Sequence, residues 1–214
     1  MDSNQKRKGW FDLPAEIRST IYRELLTHPK LLGVYVLDDG KLSTVLDQSL
    51  GVSILRTNKR VHAEATGILY GDNVIRLPYW PPSLQKFFQT IGVCNQSLVT
   101  RVAIHGHHVA SYFKSERILP THPISLVVEH CPHLKEVVFQ TCCFATPGRR
   151  RTFMELHSHL ANISSLERVV IQMPPDLYRV YTTPTRFSNE LDVAGLMGGI
   201  DQLGWVLEIT DRLG

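Results

Sequence analysis

Two short stretches gather the side chains best suited to binding a metal, "HGHH" at His105 to His108 and "EHCPH" at Glu129 to His133. Together they hold five histidines, a cysteine and a carboxylate, and imidazole with thiolate suits zinc. A structural zinc site, however, sets its ligands in two knuckles, each a pair about two to four residues apart, with thiolates dominating. Only Cys131 and His133 approach that pairing. Cys142 and Cys143 are adjacent, which on a strand sends their side chains to opposite faces. The spacing therefore predicts no metal site, and Cys131 reads as a small buried residue ahead of a strand.

Nucleophilic and phosphate chemistry leave no clearer trace. The chain has no Gly-x-Ser-x-Gly elbow, no Gly-x-x-x-x-Gly-Lys loop, no Gly-x-Gly-x-x-Gly turn and no His-Glu-x-x-His helix. Gly195, Gly198 and Gly199 stand in "AGLMGGID" without a strand feeding them, and read as helix-end punctuation. No cofactor is expected, and the protein is read as a non-enzyme. A triad built from distant residues is recognised by geometry alone, so an enzyme without a motif is the alternative from a different class.

With 214 residues, 43% hydrophobic and 20% charged, the chain can bury one sizeable core, or one core with a small N-terminal module. Its formal charge of +3 is carried by scattered Lys and Arg, apart from "QKRK" and "GRRR". A nucleic-acid binder would show a continuous basic face with interleaved aromatics, so nucleic acid is not an expected partner. "MDSNQKRKGW" lacks the apolar core of a signal peptide, and no window reaches the roughly 20 apolar residues of a membrane span. The expected location is cytoplasmic or nuclear, where the four cysteines would be free thiols.

The elements that must position any functional residue begin with "WFDLPAEIRSTIYRELL". Asp12 is placed to cap a helix, Pro14 suits its first turn and Glu16 favours its positive end. Ile17, Ile21 and Leu25 recur every fourth residue with Leu13 a turn ahead, giving one apolar face; Ser19 and Arg23, with Arg18, take the other. Pro29 ends the helix. "GVYVLDDGKL" predicts a β-hairpin turning at Asp39-Gly40. A second helix over 52–70 follows, with Ile54, Leu55, Val61, Ala65, Ile68 and Leu69 as its stripe, then a short strand over 74–77.

Beyond the proline-rich "PYWPPS", helix and strand alternate. Leu84, Phe87, Phe88 and Ile91 form a buried helical face closed by Gly92. "VTRVAI", "LKEVVF" and "LERVVI" then align on Val99, Val102, Ile104; on Leu134, Val137, Phe139; and on Leu166, Val169, Ile171. Helices fit between them, at 124–130 and 153–161, and a poorer fourth strand fits 205–209. Strand, crossover helix and parallel strand at such a period suit a short α/β solenoid, in which each unit buries its apolar edge against a neighbour. The competing arrangement is a compact three-layer α/β domain.

"LPAEIRSTIYRELL" resembles the first helix of an F-box, whose Leu-Pro and following apolar face dock the Skp-type adaptor of cullin-RING ubiquitin ligases. "FDLPAEIRSTIYRELL", "LRTNKRVHAEATGILYGDNVIRL" and "FFQTIGVCNQSLVTRVAI" together are similar to fungal F-box-like proteins, a group partly described by a domain named for two Glu-x-Arg motifs. Glu16-Ile17-Arg18 fits the first motif, and "NKRVHAEA" offers no second. Cys-Pro-x-Leu in "CPHLKEVVF" resembles the leucine-rich tails behind F-boxes.

The fold expectation is thus α/β: an F-box-like N-terminal module at 9–77 with a short hairpin, then an irregular leucine-rich-repeat-like interaction domain at 84–214 with a mostly parallel sheet. The resemblance implies that Leu13, Pro14, Ile17, Ile21 and Leu25 dock the adaptor, while an unknown client protein is held by the repeat part, with Trp80, Tyr112 and Tyr178 as candidate anchors. The alternative within the same class is a stand-alone scaffold, in which that apolar face is buried against the second helix.

Overall fold

The computed structural model describes residues 9–36, 42–45, 50–78, 81–105, 123–140, 157–173, 201 and 203–209. Helix α1 spans Ala15–Leu26, α2 Lys59–Gly71, α3 Pro81–Gln96 and α4 Pro123–His130. The strands are β1 Leu32–Val36, β2 Leu42–Val45, β3 Ile75–Arg76, β4 Arg101–His105, β5 Glu136–Gln140, β6 Arg168–Met173 and β7 Val206–Ile209. They form one sheet in the order β2-β1-β3-β4-β5-β6-β7, parallel throughout except for the antiparallel β1-β2 hairpin at one end. The α/β class, the hairpin and the mostly parallel sheet are as expected from the sequence. The Asp39-Gly40 turn and the "NELDVAGLMGGI" helix lie outside the described residues.

Local chemistry explains the boundaries. Pro14, with φ near −53°, sits at the N-cap of α1, and Thr27 closes the other end by donating its backbone N–H to the Arg23 carbonyl. Asp12 does not cap α1: its carboxylate accepts the Gly9 N–H at 2.7 Å and closes a 3-10 turn over Trp10–Asp12. The expected single helix over 52–70 is two pieces, a 3-10 helix Val52–Arg56 and then α2. Asn58 separates them, because its extended backbone stops one helix while its side chain accepts the Arg60 N–H and starts the next. Gly92 closes the first helical stretch of α3, as expected, and a second stretch follows it. Its φ of +77°, a value costly for any residue with a Cβ, lets the chain turn and resume helically to Gln96.

The three aligned segments pair in the register of their alignment. Val102, Val137 and Val169 are lateral neighbours, and so are Ile104, Phe139 and Ile171. These six point into the main core with Leu84, Phe87 and Phe88 of α3 and Ile124 and Val127 of α4. Leu160 and Ile163 cover the same face from the next connection. Alternation sends Ala103, Val138 and Val170 to the opposite face, which carries no described helix of that set and packs partly against Leu31 and Val74. A third cluster joins α1 and α2 through Tyr22, Leu26, Val61, Ala65 and Ile68.

Candidate functional site

The apolar stripe of α1 is not the face on which α1 is buried. Arg18, Tyr22 and Leu26, spaced by four, make its buried side, whereas Ile17 is 48% exposed and Leu13 37% exposed. Arg18 belongs to the inner face and not, as its charge suggests, to the polar one. Pro14 is exposed, Ile21 is half-buried, and Leu25 is half-buried against the α1–α2 cluster. Leu25 also fills the space beside Gly51, where a Cβ would stand 3.2 Å from its Cδ2. The five residues therefore divide: Leu13, Pro14 and Ile17 form an open ridge, Ile21 borders it, and Leu25 serves the fold.

A polar network turns the helix this way. The Arg18 guanidinium donates through Nε to Glu64 Oε2 at 2.9 Å and through a terminal nitrogen to Oε1 at 2.8 Å, the forked geometry that suits a carboxylate. Its other terminal nitrogen donates to the Leu13 carbonyl at 2.6 Å, which fixes the segment leading into α1. The Tyr22 hydroxyl donates to Glu64 at 3.2 Å and accepts from the Trp10 indole at 3.1 Å. Arg60 adds a bond to Glu64 at 2.9 Å. The Phe11 ring lies 4.7 Å from the Arg60 guanidinium carbon and 5.8 Å from that of Arg18, within reach of cation–π attraction. Phe11, like Leu13, is a partly exposed large apolar side chain on this surface.

The Arg18 hydrogen bonds, helped by Arg60 and Tyr22 and opposed by burial, hold the Glu64 carboxyl down at about 2, against an ordinary value of 4.5. The same bonds raise Arg18. A carboxyl whose pKa is depressed on folding favours the folded state when ionised. Its contribution is complete above pH 4.5 and is lost as pH falls toward about 2. In urea titrations the wild-type midpoint should therefore fall more steeply across that window than the midpoint of Glu64→Gln. Parallel pH profiles would remove this role from Glu64.

Of the two histidine-bearing stretches, Glu129 to His133 is described in full and the other only at the backbone of His105. Cys131 is fully buried at the end of α4, its thiol pushed up to about 12 by loss of solvent, while His133 is exposed. His130 meets the Gln96 amide oxygen at 3.2 Å and lies against Phe88. Among the described residues no three His, Cys, Asp or Glu side chains gather as a ligand set. His107, His108, Cys142 and Cys143 lie outside those residues, as do Trp80, Tyr112 and Tyr178. Among the described residues no helix is long and apolar enough to cross a membrane.

The sheet face of Ala103, Val138 and Val170 carries a feature absent from the sequence reading. Arg101 bonds Glu136 at 2.6 Å, Glu136 bonds Arg168 at 3.3 Å and Arg168 bonds Glu208 at 2.6 Å, a row of alternating charge across β4 to β7. The signal lay in the aligned segments, where the residue before the first paired valine reads Arg, Glu, Arg. The row lines a cleft of about 630 Å³ that His28, Pro29 and Lys30 also line. No family model, no curated protein and no solved structure matches the chain.

Proposed function

We propose that the chain is a protein–protein interaction module, a substrate adaptor of the F-box type that links a client to a cullin-RING ubiquitin ligase. In this reading α1 docks the Skp-type adaptor through Leu13, Pro14 and Ile17, with Ile21 at the border, and the repeat-like α/β part holds the client. The observation that carries it is the orientation of α1. Burial of this helix is assigned to Arg18, Tyr22 and Leu26, which leaves a leucine and an isoleucine one turn apart facing out. Exposed apolar ridges with polar borders mark interaction surfaces more often than neutral surface.

Purified chain and Skp-type adaptor should form a complex, and Ile17→Asp should weaken it about a hundredfold, the scale of a central interface residue. The variant should unfold at the wild-type urea midpoint, since Ile17 is about half exposed. Leu25→Asp is unsuited as a control, because Leu25 packs on Gly51 and the α1–α2 cluster. Absence of binding by the wild type, or equal binding by folded Ile17→Asp, would replace this reading with a stand-alone scaffold. The packing of Leu25 is the observation on the scaffold side.

A further inference from the structure

We propose that the client site is the cleft along the charged row at the start of β4, β5 and β6, and that its occupant is an extended peptide segment with an acidic residue at the end nearest Lys30 and Arg101. This deepens the reading of the chain as a client-holding module and rests on it.

The charge balance of the cleft is uneven. Each of its carboxylates is answered within the fold: Asp72 by Arg23 at 3.0 Å, Glu136 by Arg101 and Arg168, and Glu208 by Arg168 and by the Gln172 amide at 3.2 Å. The cations are not all answered. Arg101 engages Glu136 through Nε alone, and its terminal nitrogens make no bond among the described residues. Lys30 is exposed, and its ammonium makes none either. The Lys30 ammonium and the terminal nitrogens of Arg101 are thus unused donors in the cleft, which a carboxylate complements.

The shape favours a chain over a small anion. The walls and floor draw on residues beside or on five neighbouring strands, from Val74 next to β3, through Arg101, Glu136 and Arg168, to Glu208 on β7. Four strand spacings of about 4.8 Å make a trough of about 19 Å, the reach of about six extended residues. Leu31, Val74 and Val138 supply an apolar strip along it.

The test uses the full chain and fluorescein-labelled hexapeptide pools, read by anisotropy. One pool carries Asp or Glu at either of its first two positions, and the other carries Asn or Gln there. The acidic pool should bind about tenfold more tightly than the amide pool, as expected for one charge-assisted bond. Lys30→Glu should remove that preference while adaptor binding through α1 is unchanged, so failure at the client site and failure at the docking helix are read separately. Arg101→Gln should weaken the acidic pool with Glu136 still held by Arg168. Equal binding of the two pools, no binding of either, or full displacement by inorganic phosphate at matched ionic strength would overturn the proposal. The last result would identify a small-anion site.

Discussion

Asn73→Ala is expected to destabilise the fold by about 3 kcal/mol, because one buried and two part-buried backbone groups lose a partner at once. Asn73 is 1% exposed, and its amide nitrogen donates to the carbonyls of Leu26 and Leu69, each at 2.8 Å. Its oxygen accepts the His28 N–H at 2.8 Å. One side chain thus answers the free carbonyls at the ends of α1 and α2 and fixes where the chain leaves α1 for β1. Each group left unpaired costs about 1 to 3 kcal/mol, and water reaching the helix ends returns part of that. Asn73→Asp should be no better, since it keeps the acceptor but turns a carboxylate toward two carbonyl oxygens. Urea unfolding followed by circular dichroism gives the number, and a loss below about 1 kcal/mol would mean that the helix ends are held by other contacts.

Phe139→Ala should be costlier still, about 4 kcal/mol, as befits a fully buried aromatic in a row that cannot collapse. Phe139 stands between Ile104 and Ile171 in the sheet, and its ring lies 6.1 Å from that of Trp205 at an interplanar angle of 26°. The main-chain register fixes those neighbours, so little can move into the space. Phe139→Leu should lose about 1.5 kcal/mol, since it keeps most of the volume. A similar loss from both variants would show that the site can repack.

These two residues mark the limits of sequence reading. The Phe139 row was legible because period-two alternation and a recurrence of about 35 residues both act along the chain: the starts at Val99 and Leu134 give 134 − 99 = 35. The columns of that alignment became the lateral neighbours of the sheet. The charged column beside them follows the same recurrence, but apolar periodicity carries no information about charged positions. Asn73 carried no such signal, because its partners are backbone groups whose positions depend on how α1 and α2 meet.

Arg18 defeated the helical pattern for a related reason. Periodicity ranks residues by polarity and so sets an arginine outside. This arginine is inside because Glu64, 46 residues later, supplies a forked acceptor. With Arg18 turned inward, Ile17 had to turn outward, so one long-range ion pair decided which face of α1 is free. The split at Asn58 was within reach, as an asparagine ahead of "KRVHAEA" is a helix start, but the apolar run on both sides argued for continuity.

The sheet is not equally strong along its width. β5 pairs over five residues with each neighbour, whereas β3 pairs over two with β1 and two with β4. A pull delivered between β1 and β7 runs across the strands, nearly parallel to the hydrogen bonds that join them. Such a load opens a ladder bond by bond, and it opens the shortest ladder first. Tension across the sheet would concentrate at Ile75 and Arg76, making this short strand the mechanical seam among the described strands.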